Sequence, residues 1–443
     1  MTSNHECRLT GAECPRREPG ALAPRAGAKG RVPGCKVRVS SGARGLAKRT
    51  LVLAAVVGAL AWLGTYYVVA HAQNAGDAAK AAPTDLRSLG QEPPVSATGD
   101  RWRAAAPGYL FAFPRDHASH PDYKIEWWYY TGNVETASGR RFGYQVTFFR
   151  VGVDPAPSNP SAWAVRDLYM AHLAVSDPYG RRYRFDEKLT RGGPGLSGAA
   201  TDHYRVWNED WTAGLDDRGQ HVIRAASRAA AVELTLGEGK GPVINGVNGI
   251  SQKGAAIGNA SHYYSLTRMP TRGTLVVDGE RFEVAGESWM DHEFGTSFLE
   301  REQQGWDWLS LQLDDGRELM IYQLRRGDGS RDPRSSGTLV DVEGRATHLA
   351  AADFTLVSTG QTFRAPSGAT YPTGWRVSLP AQQLALEVTT PLANQELATT
   401  GAGIAYWEGL VDVSGTDRGR PLAGRGYLEM TGYKGSLGRV MTQ

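Results

Sequence analysis

An all-β fold is predicted for this 443-residue chain, on three observations. Beyond residue 106, short aromatic and β-branched runs alternate with Gly, Pro and Asp turn signals at regular spacing. Helical periodicity is weak throughout, and only the Ala-rich stretch 225–234 could form a short helix. A Trp-rich hairpin pattern also occurs twice, which predicts two related β-domains of barrel or sandwich type.

The N-terminal part does not belong to that fold. Residues 1–50 carry 11 Lys and Arg against 3 Asp and Glu, lack periodicity, and read as a disordered basic tail. The net charge of +3 is therefore a property of the tail, and the remaining chain is near −5. Nucleic acid loses its support as a partner on that ground. From Leu51 to Ala72 the chain is uncharged over 22 residues, preceded by Lys48-Arg49. Such a run is a signal peptide or an anchor helix. Ala70-His71-Ala72 favours cleavage after Ala72, whereas the length suits an anchor; either way the positive flank sends the rest across the membrane. A periplasmic or secreted location follows, or an inner-membrane anchor facing outward. Membrane contact is expected only through 51–72 if it is not cleaved. Residues 73–105, rich in Ala and Pro, read as a linker. Cys7, Cys14 and Cys35 all precede the apolar run, so the folded part can hold no disulfide.

Two β-domains are expected beyond the linker, at 106–298 and 299–443. In the first, Lys124–Val134 and Arg141–Val151 flank a turn, as do His172–Asp177 and Arg182–Leu189, and Thr274–Val277 and Arg281–Val284. In the second, Trp306–Leu313 and Glu318–Arg325 flank Asp314-Asp315-Gly316, followed by Tyr406–Val413 and Gly426–Thr431. The echo links Glu126-Trp127-Trp128-Tyr129 and Tyr144-Gln145 to Trp306-Asp307-Trp308 and Tyr322-Gln323, about 178 residues on. Most of the 12 Trp and 18 Tyr lie in these domains, as pleated surfaces or an aromatic-walled pocket for an apolar ligand require.

Side chains alternate along a strand, so His262 and Tyr264 share one face, and Trp289, Asp291 and Glu293 share one face. If both segments line one barrel, an aromatic cavity receives a carboxyl group and an imidazole. Desolvation would raise the carboxyl pKa and let the acid protonate an alkene or polarise a carbonyl. The plainer reading has Asp291 accepting backbone hydrogen bonds at a strand end. Around Trp127–Tyr130 both faces are aromatic, and on the second Trp strand Trp308 shares a face with Ser310 and Gln312. His117 and His120, with Glu126 or His292-Glu293, could ligate a metal. His-x-x-His in a loop is a weak signal, and histidines bonded to loop backbone are the expectation, with no metal. There is no nucleophile elbow, phosphate loop or Walker motif, and Gly286-Glu287-Ser288-Trp289-Met290 departs from Gly-x-Ser-x-Gly.

Three stretches carry a family resemblance. Phe113-Pro114-Arg115-Asp116-His117, His120-Pro121 and Glu126-Trp127-Trp128-Tyr129 resemble the opening of the AttH-like, carotenoid 1,2-hydratase-related (CrtC-like) family. Gly286–Gly295 and Gly305-Trp306-Asp307-Trp308 resemble its central signature. The resemblance runs from about 108 to 443 and implies two lipocalin-like (calycin-type) β-domains. It implies exported proteins, hydrolase-like or associated with ABC transporters. It also implies hydration of a terminal isoprenoid double bond by an Asp proton donor, without a cofactor. By motif position Asp291 is that acid and His262 its companion, with Trp289 where the hydratases carry Tyr and Tyr264 where Trp is expected. Tyr264, Trp289, Trp128, Trp308 and His292 would then contact the substrate. Two functions stay open: a hydratase or lyase protonating an isoprenoid or polyene through Asp291, and a non-catalytic periplasmic lipid carrier beside an ABC transporter.

Overall fold

The computed structural model describes residues 101–256, 258–296, 299–400 and 403–441. The basic tail, the apolar run 51–72 and residues 73–100 lie outside the described residues. Of the expected linker, the last part is folded: Trp102, Ala104 and Ala105 are buried, with the Trp102 ring seated over Gly152 where any Cβ would collide. Among the described residues, no helix is long and apolar enough to cross a membrane.

The first sheet contains β1 (Ile125–Glu135), β2 (Arg141–Gly152), β3 (Asp167–Asp177), β4 (Arg182–Arg191), β5 (Ser197–Ala199), β6 (Arg205–Asn208), β7 (Trp211–Leu215), β8 (His221–Ala226), β9 (Ala230–Leu236), β10 (Pro242–Ile244), β11 (Ile250–Gln252), β12 (Ala260–Val277) and β13 (Glu280–Gly295). The second contains β14 (Gln303–Leu313), β15 (Glu318–Arg326), β16 (Ser336–Val340), β17 (Ala346–Ala350), β18 (Thr355–Ser358), β21 (Gly374–Leu379), β22 (Leu384–Thr389), β23 (Glu396–Ala398), β24 (Ala405–Asp417) and β25 (Arg420–Met430); β19 (Thr362–Arg364) and β20 (Thr370–Pro372) pair separately. All pairings are antiparallel, and the fold is two lipocalin-like β-domains. The stretch 225–234 is not helical. Burial alternates along β8 and β9, and pairing with β7 and β12 lets the strands bury their apolar face where an Ala-rich helix would have no broad apolar stripe to bury.

The two sheets share one strand order. The first runs β4-β3-β2-β1-β13-β12-β9-β8-β7 and continues to β6 and β5, and the second runs β17-β16-β15-β14-β25-β24-β22-β21-β18. Each sheet thus pairs its opening strand with its closing strand. The hairpin echo holds as topology but not residue for residue. Tyr322 lies opposite Trp308, whereas Tyr144 lies opposite Gly132, because the Trp pairs sit at different distances from their turns.

Three apolar layers result. Trp128, Tyr130, Phe148, Tyr264 and Met290 belong to the interior of the first sheet, and Leu309, Leu311, Leu313, Trp375 and Trp407 to that of the second. Between the sheets lie Tyr129, Tyr263, Trp289, Trp308, Met320, Tyr322, Leu410 and Tyr427. Each buried ring contributes roughly 2–3 kcal/mol through loss of water contact. Hydrogen bonds cross this middle layer, among them Asn133 Nδ2 to the Gly426 carbonyl at 3.0 Å and Gln312 Nε2 to the Thr267 carbonyl at 2.9 Å.

Candidate functional site

Register decides which candidate residues meet. On the far side of a bulge from Met269, β12 pairs with β13 so that Ser265 faces Asp291, Tyr264 faces His292 and Tyr263 faces Glu293. Directly opposed residues project to the same side of a sheet. Odd-numbered positions of both strands therefore point together, and even-numbered positions point away. Asp291 and Trp289 face the second sheet with Trp308, whereas His262, Tyr264, His292 and Trp128 face the interior of the first. The expected joint site between His262-x-Tyr264 and Trp289-x-Asp291 is thus not formed. Parity within each strand was sound, but a cavity shared by both segments needed the opposite register.

Asp291 is 4% exposed, and every bond described for its carboxyl comes from a side chain. Ser265 Oγ and Trp289 Nε1 donate to Oδ1, each at 2.6 Å, and Tyr263 Oη donates to Oδ2 at 2.6 Å. Tyr263 Oη accepts in turn from Trp308 Nε1 of the second sheet at 3.2 Å. Burial pushes the Asp291 pKa up to about 7; the three donors pull it down and the neighbouring Glu293 pushes it up. Near neutral pH this carboxyl is shared between acid and base forms. Trp308 crosses Trp289 edge-on at 6.4 Å and Tyr129 at 5.2 Å, so indole and phenol rings cluster around the acid. Beside it, Lys253 Nζ pairs with Glu293 Oε2 at 2.9 Å and lies 4.5 Å from the Tyr322 ring centroid. Burial works against that ammonium, but Glu293 and Tyr322 outweigh it and its pKa is raised. A gap lined by Thr131, Trp289, Ser310, Gln312 and Tyr427 has room for about one water molecule.

On the other face, the remaining candidates form a closed hydrogen-bond network. Glu126 Oε1 accepts from the His120 amide at 2.9 Å and meets His120 Nδ1 at 2.9 Å and His292 Nε2 at 3.0 Å. Its Oε2 accepts from Ser119 Oγ at 2.7 Å and Arg150 Nε at 3.1 Å. Tyr264 Oη lies 3.0 Å from His292 Nδ1 and 2.8 Å from His117 Nδ1, and Trp128 Nε1 donates to the His117 carbonyl at 3.0 Å. These histidines thus bond to side chains where loop backbone was expected. Burial opposes the Glu126 charge, but His120, His292 and Arg150 hold its pKa well below the usual range. Burial lowers His292, keeping it neutral, while His120 is raised by Asp116 and Glu126 against its own burial. His120, Glu126 and His292 stand close enough together to ligate an ion. Both Glu126 oxygens are already engaged by five donors, so the trio closes on itself. His262 packs against Tyr109 with the rings tilted and their centroids 4.5 Å apart, and burial lowers its pKa to about 4, leaving a neutral ring.

Sequence reasoning missed Tyr263 and Ser265, which only the register reveals, and Lys253, which lies in a loop. It also missed Glu408 and Glu429. The signal for these was present, since each is a lone acid inside an apolar run, Tyr406-Trp407-Glu408 and Tyr427-Leu428-Glu429-Met430.

Comparison with known proteins places this geometry in context. A family model described as AttH-like matches residues 104–433. A solved structure assigned as an AttH, from Nitrosomonas europaea, is 34% identical, covering 74% of this chain and 99% of that one, with a TM-score of 0.68. Kievitone hydratase from Nectria haematococca is 15% identical, covering 77% of this chain and 98% of that one, with a TM-score of 0.58, a likeness of fold. Among curated proteins, none matches the chain by sequence.

Proposed function

The chain belongs to the AttH-like family, and from that premise we propose that it is an acid–base enzyme of the hydratase or lyase class. Its acid is Asp291, and its substrate is an apolar, unsaturated molecule of isoprenoid or polyene type, which the one-water gap beside Trp289 must widen to admit between the sheets. One observation carries this reading: a buried carboxyl titrating near neutrality, oriented by three side-chain donors and enclosed by indole and phenol rings. Those are the requirements for protonating carbon. The acid must keep its proton at working pH, and the cation that forms must meet π faces in place of water. In the forward step the Asp291 proton forms a C–H bond with one alkene carbon. Water oxygen bonds the adjacent cationic carbon and loses its own proton, so that the elements of water are added. The fold shared with kievitone hydratase is compatible with such chemistry, and the site residues supply the argument.

The layer reaches solvent at Trp306 and Glu429, both half-buried, and substrate would enter there. The uncharged run 51–72 behind Lys48-Arg49 supports a location beyond a membrane, where a membrane-dissolved substrate is within reach. The test is to incubate the full-length chain with isoprenoid and polyene alkenes in D2O and follow products by mass spectrometry. Wild type is expected to add deuterium and the elements of water, and Asp291→Asn to lower the rate by about 10²–10⁴. Equal rates in the two proteins would remove Asp291 as the acid. Ligand retained without turnover in either would favour a carrier.

A further inference from the structure

Opposite Asp291, the second sheet carries a row of side chains that the proton-donating step leaves unused. Glu408 and Glu429 are direct cross-strand partners on β24 and β25. Glu429 in turn pairs with Trp308 on β14, and Trp308 pairs with Tyr322 on β15. Because direct partners share a face, all four project into the layer that holds Asp291. Glu408 is 1% exposed and accepts from Tyr129 Oη at 3.0 Å; Tyr129 is itself the β1 partner of Asp291. Glu429 touches the Trp306 side chain and is half-buried at the rim. Lys253, the cation whose field reaches Glu429, is already paired with Glu293. Cross-strand partners have Cβ atoms about 5 Å apart, and two carboxylates so placed, one buried and one half-buried, disfavour each other's charge. Burial raises the pKa of both, and the Glu429 charge raises Glu408 further.

We propose that Glu408 and Glu429 share one proton and form the base of the reaction, with Glu429 taking the proton of the attacking water on the substrate face opposite Asp291. This role rests on the hydratase reading. Asp291 loses a proton to carbon, the π electrons form the new C–H bond, and water oxygen bonds the adjacent carbon. The proton that water loses passes to the pair, and both sites re-equilibrate with solvent. Acid and base stand on opposing sheets, so hydrogen and hydroxyl are delivered to opposite faces of the double bond.

Two measurements on the full-length chain test this. The first needs no substrate: infrared titration of the protonated carboxyl C=O band in wild type, Glu408→Gln, Glu429→Gln and Asp291→Asn. Each glutamine variant should shift or remove a titration that Asp291→Asn leaves in place, with the far-UV spectrum confirming that each variant is folded. If Glu429→Gln does not fold, Glu408→Gln decides alone. Unchanged titrations in the folded Gln variants would overturn the shared proton. The second uses turnover. Glu429→Gln should lower hydration about 10²-fold or more while solvent deuterium still exchanges into the alkene through Asp291. Hydration within threefold of wild type overturns the base. No turnover from any variant or wild type, with the shared proton present, overturns the hydratase reading and the base role together but not the carboxyl pair.

Discussion

At the scale of single residues, Asp291 has an energetic signature separable from any reaction. Its pKa is about 7 in the folded chain against an ordinary aspartate value of 3.8. Between those values the folded state binds a proton that the unfolded state does not. Stability from this site is therefore fully present below pH 4 and is lost as pH rises through 7. At 1.36 kcal/mol per unit the full loss is on the order of 4 kcal/mol. Asp291→Asn cannot titrate, so its Tm should gain on wild type from pH 4 to about pH 7 and level off above, as calorimetry at several pH values would show. A constant difference across that range would mean that Asp291 ionises normally. Asp307, raised to about 6 by burial and opposed by Arg325, is untouched in this comparison because it is common to both proteins.

Elements explain how the two faces are kept apart. The segment from Trp102 to Tyr123 lies against the first sheet, held by Glu126 through Ser119 and His120 on one side and Arg150 and His292 on the other. Breaking a buried pair strands the partner charge, and Arg150 keeps one carboxylate, Asp167 at 3.0 Å, beside the His120 and Tyr123 carbonyls. Glu126→Gln should cost about 3–5 kcal/mol in chemical denaturation and open residues 101–123 to proteolysis. Stability within about 1 kcal/mol of wild type would show that the network only decorates the surface. The elements were also the most legible part of the sequence. Hairpins at Thr136–Arg140, Pro178–Arg181, Asp278–Gly279 and Asp314–Arg317 stand where the turn chemistry indicated, and the leucine face of Trp306–Leu313 lies in the dry core as alternation requires. What alternation could not supply was register. His262 and Asp291 are each placed correctly within their strands, but pairing Ser265 with Asp291 puts them on opposite faces, and a slip of one residue would have joined them. The Ala-rich stretch 225–234 misled for a related reason: pairing with strands distant in sequence outweighed local propensity.

Over the whole molecule, one strand order is used twice, and the repeat turns equivalent faces of the two sheets toward each other. That arrangement creates a polar, aromatic layer that neither half has alone, with Asp291 and Tyr263 from one sheet and Trp308, Glu408 and Glu429 from the other. The sequence echo pointed to the repeat, yet the residues that meet between the sheets come from strands as distant as β1 and β24 and had no local signal. Chemistry then occurs between the sheets and not in the interior of the first. Solvent-deuterium incorporation into an isoprenoid or polyene alkene, compared in wild type, Asp291→Asn and His262→Gln, tests it most directly. Incorporation is expected from wild type and from His262→Gln to within about threefold, with a loss of about 10²-fold or more in Asp291→Asn. Incorporation that survives in Asp291→Asn but disappears in His262→Gln would place the reaction on the opposite face and contradict it.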